Sequence, residues 1–348
     1  MSPNRILAID VGAGTQDILL WEDGQPMENN VKLVLPSWTA ILARQVERAT
    51  REGRPVFLKG NLMGGGPVVD ALKRHLDAGY PVYARPRAAL TIRDNLDQVR
   101  EQGYTIVGEG EWLDAPNVFT LYTRDVDLDA LTSALAHFGV AVPKTVAIAV
   151  QDHGECLEGS NRAFRFQLWR EFVEGGGDML DLVYRQPPAC YTRMLAVQQD
   201  APGAVMMDTG PAALWGIVED QHAAAHQDEG FIAVNLGNQH TLGVLVQGER
   251  ILGLFEHHTA HMTPDRLARL VERLRAGTLT NEEVFDEHGH GAFIGPGYEP
   301  GAGFNFVAVT GPQRHMAADL GYHFAAPHGD MMLTGCFGLV AATCRVGE

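Results

Sequence analysis

Residues 8–24 read AIDVGAGTQDILLWEDG, and residues 233–249 read AVNLGNQHTLGVLVQGE. In each stretch an apolar run ends at a Gly-bearing turn, a second apolar run follows, and another Gly-bearing turn leads into a third. Internal self-similarity of this kind sets an architecture before any single motif does. In the first copy, Arg5 to Asp10 and Asp17 to Glu22 are expected strands with residues 11–16 as the turn. Asp23-Gly24 then turns the chain into Val31 to Leu35, giving a three-stranded antiparallel meander. In the second copy the strands are Phe231 to Val234, Leu242 to Val246 and Ile251 to Phe255, followed by a helix from Pro264 to Arg275. Two related domains are expected, 1–200 and 201–348.

Between the copies, strand and helix patterns alternate. Ser37 or Thr39 caps a helix running to about Thr50, and Pro55 to Leu58 is a strand. Gly64-Gly65-Gly66 leads through Pro67 into a helix ending near Gly79. Strands at Val82 to Ala84, Val118 to Tyr122 and Thr145 to Val150, with a helix at Asp127 to Phe138, complete the series. Such alternation argues for a mainly parallel sheet covered on both faces.

Composition narrows the function. The 348 residues carry 27 Lys and Arg against 43 Asp and Glu, a net charge of −16, which opposes nucleic-acid binding through a basic surface. No apolar run reaches the length of a membrane span or a signal segment, so a cytoplasmic protein with no membrane partner is expected. Glycine, at 39 residues, concentrates at the ends of apolar runs, where strands feed tight turns that a ligand can approach closely. The four cysteines, Cys156, Cys190, Cys336 and Cys344, form no CxxC pair and predict neither a disulfide framework nor a zinc ribbon.

The first turn carries the clearest chemistry. A strand ending in Asp10, followed by Gly12, Gly14 and Thr15, gathers backbone N–H groups, a hydroxyl and a carboxylate at one point. That set suits a Mg²⁺–polyphosphate ligand, with the turn as an anion nest and Asp10 on the metal. The second turn, with Gly237, Asn238 and Thr241, would clasp the phosphates from the other side. An ordinary Gly-rich hairpin is the alternative for either turn alone.

With these residues in view, the chain resembles the actin, sugar-kinase and heat-shock-chaperone ATPase superfamily. The turn at Asp10 to Thr15 looks like its first phosphate motif, and Leu236 to Thr241 like its second. Phe306 to Pro312, with Thr310 and Gly311, resembles its adenosine motif, although Pro312 stands where a second Gly is usual. Pro202 to Gly216 resembles its connecting segment, in which an aspartate before an Ala-Ala-Leu helix serves carbohydrate kinases as general base; here that residue is Asp208. Asn235 replaces an aspartate usual in the second turn, leaving Mg²⁺ to Asp10 and Asp152. Gly335 opens the closing helix and joins the nucleotide-contact set. Within the superfamily, the chain is most similar to a family labelled as pyruvate formate-lyase-activating proteins. A radical cluster needs CxxxCxxC, which is missing here, and Cys156 and Cys190 lack the Gly-rich context of a subunit-bridging iron–sulfur site.

The resemblance implies an α/β fold of two duplicated actin-like (ribonuclease H-like) domains flanking a nucleotide cleft, with ATP and Mg²⁺ as cofactors. Catalysis would rest on Asp10, Asp208 and Asp152. Two functions follow from it: an ATP-dependent phosphotransferase acting on a small metabolite, or an ATPase switch that activates a partner protein. No residue pattern names the acceptor or the partner, and a homodimer stays open. Asp208 has the alternative of capping the helix that follows, and Asp152 that of a capping or loop residue.

Histidines cluster at His257, His258 and His261 and again at His288 and His290. The i, i+4 pair His257/His261 suits a metal if it is helical; substrate contact and a solvated loop are the alternatives. Residues 288–303 read as a Gly-rich loop, either a lid or a plain surface loop. Met206-Met207 and Met331-Met332 read as strand-core packing.

Overall fold

The computed structural model describes residues 4–112, 116–301 and 303–347. In chain order its strands are β1 (Arg5–Val11), β2 (Thr15–Glu22), β3 (Val31–Pro36), β4 (Val56–Gly60), β5 (Val82–Ala84), β6 (Thr105–Ile106), β7 (Phe119–Thr123) and β8 (Thr145–Val150). They continue with β9 (Val205–Met207), β10 (Phe231–Leu236), β11 (His240–Gln247), β12 (Arg250–His258), β13 (Gly291–Ile294), β14 (Val307–Thr310) and β15 (His323–Phe324).

The internal repeat is reproduced strand for strand. One sheet has the order β3-β2-β1-β8-β9, and another has β13-β12-β11-β10-β14-β15. In each, an antiparallel meander is extended by two parallel strands beside its first strand. β13 is an added edge strand. Both turns close with the same hydrogen bond, Gly12 N–H to the Thr15 carbonyl at 2.8 Å and Gly237 N–H to the His240 carbonyl at 2.9 Å. The strands run closer to the turns than expected, because ladder pairing continues through Val11 and Gln16.

The repeats are joined by their closing helices, Thr209–Val218 after β9 and Thr334–Gly347 after β15. Glycine makes the crossing possible. A Cβ on Gly216 would stand 1.9 Å from the Thr334 carbonyl oxygen, and one on Gly338 would stand 1.9 Å from that of Ala212. Backbone meets backbone there, and Phe337, Leu339, Leu214 and Ile217 fill the flanks in one core with β1, β10 and β11.

The alternating segment between β3 and β8 does not extend the first sheet. Its strands form a separate, all-parallel sheet of order β6-β5-β4-β7, so the mainly parallel single sheet expected from the pattern is corrected to an inserted layer. The insert has its own core of Leu42, Val46, Val56, Leu58, Leu72 and Val82. Its helices begin as the sequence dictates: Ser37 caps Trp38–Arg51, and Pro67 sits in the first turn of Gly66–Asp77. The helix Pro264–Arg275 has its expected ends, with Leu267, Leu270, Val271 and Leu274 buried along one stripe. Among the described residues no helix is long and apolar enough to cross a membrane.

Several local expectations are corrected. Residues 291–294 of the Gly-rich stretch are strand β13, paired with β12, so this part is sheet edge and not a lid; residue 302 lies outside the described residues. Met206 and Met207 are buried in β9, whereas Met331 and Met332 form a 3-10 turn rather than a strand. Helices Asn161–Glu174 and Thr192–Asp200 were not read from the sequence.

Candidate functional site

A cavity of about 460 Å³ opens between the two repeats and is walled on a third side by the insert. This is the size of a small-molecule or cofactor pocket. Asp10, Gly12 and Thr15 line it from the first repeat; Gly237, Asn238, Thr310 and Gly311 line it from the second; Gly335 closes it. The turns meet tip to tip: a Cβ on Gly14 would lie 3.6 Å from the Asn238 amide nitrogen.

Ser37 sets the first turn. Its N–H donates to the Gly14 carbonyl at 3.1 Å and its hydroxyl to the Ala13 carbonyl at 3.0 Å. Since a trans peptide holds N–H opposite C=O, the Gly14 N–H is directed away from Ser37. The second turn is braced by Gln313, whose side chain donates to Asn238 Oδ1 at 3.1 Å and whose N–H donates to the Leu236 carbonyl. Gly311 has φ +100°, and a Cβ there would stand 2.4 Å from the same Leu236 carbonyl, so only glycine makes this corner.

The acidic centre differs from the expected one. Asp10 faces Asp17 directly across the β1–β2 ladder. Asp10 Oδ1 and Asp17 Oδ1 are both buried without a hydrogen-bond partner. Burial, together with the neighbouring charges of Asp17 and Asp208, raises the Asp10 carboxyl well above its ordinary range. Burial pushes Asp17 up to about 7. Two buried carboxylates facing each other, each with an oxygen left without a partner, need a proton or a cation, and oxygen-only donors suit a hard divalent ion. Gly335 leaves room for this arrangement, since a Cβ there would stand 2.0 Å from Asp10 Oδ2. These residues fit Mg²⁺. Asp17 was missed because only the hairpin register brings it opposite Asp10; counting back from the turn closure would have found it.

Asp152 and Asp208 lie in the same cleft with their oxygens engaged. Asp152 accepts from Gly154 N–H and Met194 N–H, one on each oxygen, both at 2.9 Å. Burial raises its carboxyl, and these backbone donors oppose the shift. Asp208 caps the helix after it by accepting from Gly210 N–H at 3.0 Å, while Oδ2 accepts from Asp152 N–H and from Arg165 Nη1 at 2.8 Å. Arg165 also grips Glu256, at 2.9 Å through Nε, and donates to the Asp152 carbonyl at 2.7 Å. Burial opposes ionisation of Glu256, but the guanidinium outweighs it and holds this carboxyl well below its ordinary range. Sequence reasoning missed this buried Asp208–Arg165–Glu256 chain because the helix carrying Arg165 was not read. The signal was there in Ser160, which caps it, and in Arg165, Phe166, Trp169 and Val173 at helical spacing.

Thr241 is buried beneath the turn, sharing a hydroxyl hydrogen bond with Thr259 at 3.0 Å, and does not line the cleft. The residue that closes the second turn as Thr15 closes the first is His240. The predicted His257/His261 pair does not form on a helix, because His257 lies in β12 and His261 in a 3-10 turn. The rings that do gather are His153, His240, His258 and His290, with centroids of neighbouring rings 4.7 to 5.5 Å apart. Burial lowers His240 to about 4 and His290 to about 3, so these imidazoles are neutral at pH 7.

Duplicated sheets, facing hairpin turns and the cleft between them define an actin-like α/β protein. The chain belongs to the family described as "Putative pyruvate format-lyase activating enzyme (DUF1786)", which matches residues 63–316. No curated protein matches the sequence. Among solved structures, the chain is similar to the ethanolamine utilization protein EutJ from Carboxydothermus hydrogenoformans, at 10% identity over 98% of this chain and 90% of that one, with a TM-score of 0.30. It is also similar to a ROK hexokinase from Thermus thermophilus, at 13% identity over 99% and 98%, TM-score 0.32. A third is a ROK family glucokinase from Streptomyces griseus in complex with glucose and AMPPNP, at 12% identity over 97% and 98%, TM-score 0.32. No three of the cysteines are closely spaced in the sequence, so the cluster chemistry that the family's description suggests has no CxxxCxxC ligand set here.

Proposed function

We propose that the chain binds ATP·Mg²⁺ in the cleft and transfers the γ-phosphoryl group to a small metabolite. The observation that carries this reading is the pair of identically closed turns facing each other beside Asp10 and Asp17, whose Oδ1 atoms lack partners. In this reading the turn N–H groups not spent on closing the hairpins, that of Gly14 among them, donate to phosphate oxygens, and Thr310, Gly311 and Gly335 border the nucleoside side. Asp10, with Asp17, holds the metal. Bound Mg²⁺ supplies charge neutralisation on the phosphates. The insert's Gly64–Gly66 turn and Arg193 form the wall against which an acceptor would sit. Arg193 is itself paired with Asp125 at 2.8 Å, which suits a neutral, hydroxylated acceptor better than an anionic one.

Asp208 remains the candidate base for that acceptor. A second reading, an ATPase switch acting on a partner protein, is favoured by one observation: both oxygens of Asp208 are already engaged, by Arg165, Gly210 N–H and Asp152 N–H, leaving no oxygen turned freely to an acceptor hydroxyl. A metabolite pool incubated with γ-labelled ATP separates the two. Label on an organic acceptor, lost about 10²- to 10⁴-fold in Asp208→Asn with nucleotide affinity kept, supports the kinase. Label released only as inorganic phosphate supports the switch.

A further inference from the structure

The four-histidine group beside the cleft is not used by phosphoryl transfer. His153 follows β8, His240 opens β11 and His290 precedes β13, so three separate segments deliver their rings to one point. One ring nitrogen from each lies within 4.8 Å of the other two. His153 Nε2 and His240 Nε2 are 3.4 Å apart. Two nitrogens bound to one tetrahedral Zn²⁺ at the usual bond length stand about 3.3 Å apart, so this pair already has ligand spacing. His290 is 2% exposed, and its Nδ1 is buried with no partner. Buried imidazole nitrogens ordinarily find a hydrogen bond.

We propose that His153, His240 and His290 form a binding site for a divalent transition metal of the Zn²⁺ type, with a fourth position open to the cleft that His153 and His240 line. Three imidazole donors select a borderline metal over Mg²⁺, which takes oxygen donors. The site is therefore chemically distinct from Asp10 and Asp17. Its backbone is held from outside. The His290 N–H donates to the Glu256 carbonyl at 2.8 Å, and the carbonyl of Asp152, next to His153, accepts from Arg165. The Arg165–Glu256 pair thus fixes both flanks. Three nitrogens with one open position are the donor set of a Lewis-acid site, and the open position would take water or an anionic oxygen of a molecule in the cleft. In the repeat, His240 occupies the place of Thr15, so the second turn exchanges a hydroxyl for a metal ligand.

The test is titration of chelator-treated protein with Co²⁺, followed by its visible absorption, with Zn²⁺ as competitor. One equivalent giving a tetrahedral spectrum that Zn²⁺ abolishes is expected. His153→Ala and His240→Ala, checked for folding by circular dichroism, each weaken Co²⁺ binding more than about 100-fold, beyond the usual loss for an outer-shell partner. His323→Ala, which alters the surface group Asp220/His222/His323, leaves it unchanged. Absence of a tetrahedral spectrum in the wild-type protein overturns the proposal whether or not the variants fold. So does affinity that survives His153→Ala and His240→Ala but falls in His323→Ala. Binding of ATP·Mg²⁺ is a separate measurement and does not bear on the result.

Discussion

Asp10 and Asp17 stand directly opposite each other across the β1–β2 ladder, with an unpartnered oxygen on each. In the second repeat the same register positions are Asn235 and Leu242. The carboxylate pair therefore belongs to one side of the cleft only. Like charges directly opposite on a sheet face are destabilising, so the first hairpin retains an arrangement that a cation would relieve.

The burial of Asp17 predicts a pH dependence in Mg²⁺-free buffer. Asp17 titrates near 3.8 when unfolded and near 7 when folded, so between those values the folded chain holds more protons than the unfolded one. Stability should fall as pH rises through that window, by a ceiling of about 4 kcal/mol, and stay low above it. Thermal melts should show Asp17→Asn more stable than wild type at pH 8 and equal to it at pH 4. Millimolar Mg²⁺ should raise the wild type at pH 8 and leave the variant unmoved.

Gly335→Ala places a methyl group on Asp10. The displaced carboxylate should weaken Mg²⁺-dependent nucleotide binding at least about tenfold, while overpacking costs about 1–3 kcal/mol. Calorimetry and chemical denaturation on the same variant read the two effects separately. Equal nucleotide affinity would place the metal away from Asp10.

Gly338→Ala meets the Ala212 carbonyl at the helix crossing, where neither backbone can yield locally. A loss of at least about 2–3 kcal/mol in urea denaturation is expected. Gly329→Ala, with open space around its Cβ but φ +77°, should lose only the smaller cost of left-handed backbone, about 1–2 kcal/mol.

Arg165→Ala leaves two buried carboxylates, Asp208 and Glu256, without their shared cation. Breaking a buried pair in this way costs about 3–5 kcal/mol. The loss should shrink as pH is lowered toward protonation of Glu256, whose carboxyl the guanidinium holds well below its ordinary range in the wild type.

Much of this was legible in the sequence, for identifiable reasons. Turn glycines at Gly12, Gly24, Gly237 and Gly248 punctuate both meanders, and the repeat then fixed the relation between the halves. The cap at Ser37 and the proline at Pro67 gave helix starts. What local pattern could not give was pairing between distant segments. β4 to β7 look like any parallel strands, and nothing in Val56 to Thr123 says that they form their own sheet. The helix around Arg165 was hidden because charged residues interrupt its apolar stripe and a buried arginine reads as surface. His153, His240 and His290 come from three segments up to 137 positions apart, and only folding brings their nitrogens together.

The central claim is that the paired turns hold ATP·Mg²⁺ against Asp10. Isothermal titration of the wild-type protein and of Asp10→Ala with ATP, each with and without Mg²⁺, tests it most directly. The account predicts one nucleotide per chain, bound in a Mg²⁺-dependent manner and weakened at least about tenfold by Asp10→Ala. No heat from the wild-type protein at millimolar ATP and Mg²⁺, or equal binding by Asp10→Ala, would contradict it.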